Sequence, residues 1–139
     1  MKAAVEGRGE SETKLLGVTV LTSFDEKDLR DLGFSVAVRD LVELRVRKAV
    51  ESGMDGVVCS PVEVARVREI GGQNMTIVAP GVRSKGAAHG DQKRVATPED
   101  AIKNGADYVV IGRQVTRAAD PRAAFEEVLA EIGTLARMS

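Results

Sequence analysis

Ala101-Ile102-Lys103-Asn104-Gly105-Ala106-Asp107-Tyr108-Val109-Val110 echoes, position by position, Ala49-Val50-Glu51-Ser52-Gly53-Met54-Asp55-Gly56-Val57-Val58. Each copy reads as the end of a helix, a glycine that can close it in the left-handed region, an aspartate in the turn, and a valine pair entering a strand. That is the punctuation of a parallel αβ connection, and its recurrence predicts a chain of alternating β and α units. The strand runs are apolar on both faces, which a half-exposed antiparallel sheet would not require. A βα barrel and a doubly wound layer both fit at this point.

Working outward from the repeat, four strands are expected near Leu15–Leu21, Gly56–Cys59, Met75–Ala79 and Tyr108–Ile111. Met1 to Glu6 reads as the last turns of a helix stopped by Gly7 and Gly9, so the chain is expected to start inside an element. A charged turn of helix spans Asp25 to Leu32. The following amphipathic segment places Val42, Val46, Ala49 and Val50 on one buried face, with Arg45-Val46-Arg47-Lys48 contributing its wet side. Ser60-Pro61-Val62-Glu63 is a capping box with proline at the first helical position. Thr97-Pro98-Glu99-Asp100 and Asp120-Pro121 start two more helices, the last running to about Ala136. The long segment from Pro80 to Ala96, rich in glycine and charge, is a candidate for function because it delays a helix directly after a strand.

Composition narrows the function classes. Lysine and arginine number 20 against 21 aspartates and glutamates, so no net field favours a polyanion and nucleic acid is not an expected partner. Aromatic residues are only 3%, too few for a stacking platform along single strands. No apolar run approaches the roughly 18 residues of a membrane span, and no signal peptide opens the chain, so a cytoplasmic protein is expected. Cys59 stands alone between apolar neighbours and is read as a buried thiol. His89, in Gly86-Ala87-Ala88-His89-Gly90, has no partner at metal-ligand spacing and reads as a solvated loop residue. Asp55 and Asp107 lie in αβ turns at the N-terminal ends of their strands, the stability face of a barrel, and are expected to be structural.

Chemistry gathers at the opposite ends of the strands. Arg113 follows Gly112 directly after the last strand, where backbone N–H groups can approach a ligand. Arg83, in Pro80-Gly81-Val82-Arg83, holds the matching place one strand earlier, so two guanidinium forks can converge on one dianion. In βα barrels a phosphate commonly sits over the loops after the last two strands. Two solvated arginines at strand ends would produce the same spacing.

Pro80-Gly81-Val82-Arg83, Asp91-Gln92-Lys93-Arg94-Val95-Ala96-Thr97-Pro98, Gly105 through Arg113, and Thr116-Arg117-Ala118-Ala119-Asp120-Pro121 together resemble orotidine 5′-phosphate decarboxylases in order and spacing. Leu21-Thr22-Ser23 resembles that family's segment after the fifth barrel strand. The resemblance implies an α/β fold that is part of a (β/α)8 TIM barrel, strands five to eight, forming a single domain over residues 1–139. It implies conversion of orotidine 5′-phosphate to UMP and carbon dioxide in pyrimidine biosynthesis, without metal or organic cofactor, by a barrel that is usually a homodimer. It also implies that Arg83, Gln92 and Arg113, with the backbone around Gly112, hold the phosphate, and that Thr22 and Ser23 meet the pyrimidine.

The departures carry as much information. The family's Asp-x-Lys-x-x-Asp segment and its neighbouring lysine belong to the N-terminal half of the barrel, and no such segment occurs here. Asp91-Gln92-Lys93-Arg94-Val95-Ala96 ends in alanine, and Asp25-Glu26-Lys27-Asp28-Leu29-Arg30 ends in arginine on a surface turn. Ser84-Lys85 follows Arg83 where many members carry proline. The expectation is therefore a C-terminal half that binds nucleotide without catalytic residues of its own, completed by the missing N-terminal half. The alternative is a non-catalytic phosphate-binding half-barrel that pairs with a second copy of itself.

Overall fold

Short β-branched runs separated by capped helices are free to pair only in parallel, because each helix returns the chain to the same end of the sheet. In the computed structural model, which describes residues 1–86 and 93–136, they do so. The strands β1 (Leu16–Val18), β2 (Gly56–Val58), β3 (Thr76–Pro80) and β4 (Tyr108–Val110) form one sheet in chain order, every neighbouring pair parallel. Gly17 lies opposite Val57, Val57 opposite Ile77, and Ala79 opposite Val109. Helix α1 (Lys2–Arg8) precedes the sheet. Helices α2 (Glu26–Asp31) and α3 (Val38–Glu51) join β1 to β2, α4 (Val64–Gly71) joins β2 to β3, and α5 (Pro98–Lys103) joins β3 to β4. Helices α6 (Arg113–Thr116) and α7 (Pro121–Ala136) complete the order. The four βα units expected from the repeat are present.

The two faces of the sheet differ. Val57, Ile77 and Ala79 are fully buried and form one core with Val42, Val46 and Ala49 of α3, Val64 and Val67 of α4, and Ala101 of α5. On the opposite face Val18, Tyr108 and Val110 are 53%, 61% and 50% exposed. Apolar side chains on this face are the ones a closed barrel packs inside itself. Among the described residues β1 pairs only with β2 and β4 only with β3, so both outer strands present unpaired ladders. Gly56 is the inward residue where β2 and β3 crowd. A Cβ there would collide with the Thr76 carbonyl oxygen and come within 2.7 Å of the Leu16 side chain.

The sequence repeat is also a hydrogen-bonding repeat. The Asp55 carboxylate accepts the Leu15 N–H at 2.7 Å and pairs with Arg8. The Asp107 carboxylate accepts the Ile77 N–H at 2.7 Å and pairs with Arg68 at 2.8 Å. Each aspartate thus fastens its own strand to the neighbour before it, as expected of structural residues at the N-terminal end of the sheet. The Leu15 N–H, and then the Arg8 guanidinium, hold the Asp55 carboxyl below the usual carboxylate range.

Three local expectations are corrected. Helix α1 continues through Gly7, and Gly9 at φ 57° is the residue that ends it, because a helix can carry one glycine but not the left-handed turn that follows. Val50 is exposed on the last turn of α3, facing an open depression with Lys14 and Met54, while Val38 and Leu41 fill the buried face at the other end. Arg45 is not on the wet side of α3: its guanidinium donates to the Thr19 carbonyl just past β1. Its long stem lets the charged end reach over the helix edge.

Candidate functional site

At the C-terminal ends of the strands a cavity of about 350 Å³ opens. Thr22, Ser23, Arg83, Gly112 and Arg113 all line it, and Val18, Val58 and Val110 of the inner sheet face form its apolar floor. Five of the six expected site residues are therefore brought together from three separate strand ends. Gln92 lies outside the described residues, as does His89. Of the residues lining the cavity two are cationic and none is anionic, which gives it a local positive charge in a chain of nearly balanced charge.

Each side chain is placed by a short stretch of backbone. After β3 ends at Pro80, Gly81 takes φ 81°, a turn that costs other residues strain, and Val82 returns to full burial opposite Ala96. The Arg83 N–H donates to the Ala96 carbonyl at 3.0 Å, and its guanidinium donates to the Val82 carbonyl at 2.6 Å. Arg83 is 8% exposed, so it is no solvated strand-end arginine. Arg113, by contrast, is an exposed residue at the start of α6, a short helix not anticipated from the sequence. Cys59 also lines the cavity, and burial pushes its thiol up to about 12, leaving it neutral.

Thr22 and Ser23 owe their position to a residue that sequence reasoning quoted only as part of a motif. Arg94 donates to the carbonyls of Val20 at 3.1 Å, Leu21 at 2.9 Å and Phe24 at 3.0 Å, and it pairs with Glu63. The Thr22 carbonyl accepts the N–H groups of Lys93 and Arg94 at 3.1 and 3.3 Å. Four carbonyls of the loop after β1 are thereby satisfied by two residues of the loop after β3. Ser60 completes the anchorage by donating its hydroxyl to the Arg94 carbonyl at 2.9 Å. The sequence signal for this role was a basic residue inside a long loop, which reads equally well as solvated.

The two segments that resemble the missing catalytic motif meet each other. Lys93 Nζ lies 2.9 Å from Asp25 and 2.7 Å from Asp28. The residue types match an Asp-Lys-Asp set, but the work they do is structural. Asp25 and Asp28 form the capping box of α2, the cluster is largely solvated, and none of the three lines the cavity. Lys93, and then the Asp28 N–H, hold the Asp25 carboxyl far below the usual range.

Comparison with known proteins agrees with the parallel fold. The profile of the orotidine 5′-phosphate decarboxylase / HUMPS family matches residues 1–128. An orotidine 5′-phosphate decarboxylase of Rhodopseudomonas palustris strain BisA53 is 59% identical over 132 residues, which is 95% of this chain and 56% of that protein. One from Bradyrhizobium diazoefficiens is 53% identical over 133 residues, covering 96% of this chain and 56% of that protein. The crystal structure of the Lactobacillus acidophilus orotidine 5′-phosphate decarboxylase superposes with a TM-score of 0.71 at 37% identity, over 89% of this chain and 51% of that one. The chain thus spans about half the length of the curated relatives it matches. On the family match, the parallel fold and these relatives, the chain belongs to the orotidine 5′-phosphate decarboxylase / HUMPS family.

Proposed function

We propose that this chain supplies the nucleotide-gripping half of an orotidine 5′-phosphate decarboxylase. The observation that carries the reading is the convergence of Thr22, Ser23, Arg83, Gly112 and Arg113 on one cavity at the C-terminal ends of three parallel strands. In this reading Arg83 and Arg113 take the phosphate dianion by charge-assisted hydrogen bonds, with the Gly112 backbone beside them and Gln92 adding an amide. Thr22 and Ser23 meet the pyrimidine, and Arg94 holds the loop that presents them.

The reaction releases carbon dioxide from the pyrimidine ring, and protonation of the carbon left behind gives UMP. Phosphate contacts orient the substrate and supply binding energy, but the developing carbanion needs fixed charges beside the reacting carbon. The 139 residues contain no Asp-x-Lys-x-x-Asp segment, and the Asp25–Lys93–Asp28 cluster does not line the cavity. Those charges therefore come from a partner segment equivalent to the other half of the relatives' barrel. It docks on the bare inner face and on the open edges of β1 and β4, where backbone groups wait to be paired. A second copy of the chain could cover the same surfaces but would bring no such segment.

Mixing the purified chain with the N-terminal half of the Rhodopseudomonas palustris relative tests this. Decarboxylation of orotidine 5′-phosphate is expected to appear on mixing and to titrate to one half per chain. A mixture that forms a one-to-one complex and stays inactive would overturn the proposal.

A further inference from the structure

The ladder between β3 and β4 ends at Pro80 opposite Val110. Beyond that rung both strands run on as loops, and both loops contain glycine, Gly81 on one side and Gly112 on the other. Arg83 and Arg113 lie three residues past the rung on their respective sides, so sheet pairing alone does not fix how far apart they stand. One residue further on, a second rung appears. The Ser84 N–H donates to Gln114 Oε1 at 3.0 Å, and Gln114 Nε2 donates to Ser84 Oγ at 2.5 Å. The register of the sheet is thus resumed by a side chain after the backbone ladder has stopped. The two arginines are enclosed between the Pro80–Val110 rung below and the Ser84–Gln114 rung above.

We propose that Gln114 is the positioning residue that sets the separation of Arg83 and Arg113, clamping Ser84 through both atoms of its amide so that the two guanidinium groups meet one phosphate. A primary amide suits this task because it offers an acceptor and a donor in one plane and matches the N–H and hydroxyl of a serine. A proline at position 84 would have neither the N–H nor the hydroxyl. The Arg83 N–H is held by the Ala96 carbonyl, and the Gln114 strut holds the next residue, Ser84. The clamp carries no charge and adds nothing to the field at the phosphate. Its contribution is preorganisation, which lowers the ordering cost of binding a small dianion between two loops.

The inference rests on the reading of the cavity as a phosphate site, so the experiment separates the two. The affinity of the full 139-residue chain for UMP is measured by titration in the parent and in Gln114→Met, Ser84→Ala, the double variant and Arg113→Ala. Uridine, which lacks the phosphate, is followed by ligand-observed NMR, and each melting temperature is recorded. Gln114→Met is expected to weaken UMP on the order of tenfold, the loss typical of a misaligned charged hydrogen bond. Uridine binding should stay unchanged, and the double variant should bind no worse than Gln114→Met alone. Unaltered UMP affinity in both single variants, or parallel loss of UMP and uridine, overturns the positioning role. Should Gln114→Met not fold, Ser84→Ala decides by the same comparison. If Arg113→Ala also leaves UMP unchanged, or the parent binds no UMP, the phosphate site itself falls and the clamp with it.

Discussion

Arg83 and Arg113 occupy equivalent places past two adjacent strands, yet only one of them is buried. Arg83 is fixed by its own backbone neighbours and buried, whereas Arg113 is an exposed residue of the cavity lining. A ligand would therefore meet one buried and one exposed arginine. Arg113→Ala should weaken UMP binding by about 1.5–3 kcal/mol, the range for a hydrogen bond to a charged group. Titration of the variant checks it, and unchanged affinity would remove Arg113 from the site. Position was legible for both residues because Gly112-Arg113 and Gly81-Val82-Arg83 follow apolar runs. The difference in burial was not, since it depends on Ala96, which meets Val82 and Arg83 only after the loop has folded back. Arg94 was illegible for a related reason: all four oxygen partners of its guanidinium lie on the loop after β1 or on Glu63, remote in sequence, and no local pattern marks such a residue.

The elements were easier to read than their ends. Alternation of capped helices with valine-rich strands dictated a parallel sheet, and the Asp55 and Asp107 repeat marked where strands begin. Three of the four strands nevertheless proved shorter than their apolar runs, while β3 keeps its length and is shifted by one residue. Thr19 and Val20 are buried without belonging to β1, since the Val20 carbonyl is taken by Arg94 and the Thr19 carbonyl by Arg45. Side chains from distant elements thus replace ladder bonds, which hydrophobic patterning cannot reveal. The repeat has a consequence for acid stability. Because the folded Asp55 carboxyl lies below its unfolded value, its contribution is present above about pH 4 and is lost as pH falls through the folded value. In Asp55→Asn that contribution is missing at neutral pH and has less to lose in acid. Urea midpoints from pH 7 to pH 3 should therefore start lower in the variant and fall less steeply. Parallel curves would show that the Leu15 and Arg8 contacts do not act through the charge.

At the scale of the molecule, a sheet with one face covered by helices and the other bare is an incomplete arrangement. Val18, Tyr108 and Val110 stay exposed at the ends of the outer strands, and among the described residues two ladders remain open. Light scattering on the isolated chain should show association that increases with concentration, and a stable monomer at high concentration would contradict this reading of the inner face. The same incompleteness separates binding from chemistry. The central claim is that this chain holds a nucleotide phosphate and cannot by itself decarboxylate the nucleotide, because the grip and the reacting charges belong to different halves of a barrel. The direct test is one preparation of the purified 139-residue chain, freed of host enzyme as verified by mass spectrometry. It is assayed in parallel for UMP binding and for carbon dioxide release from orotidine 5′-phosphate. The account predicts saturable UMP binding with no turnover above the uncatalysed rate; measurable turnover by this chain alone would contradict it.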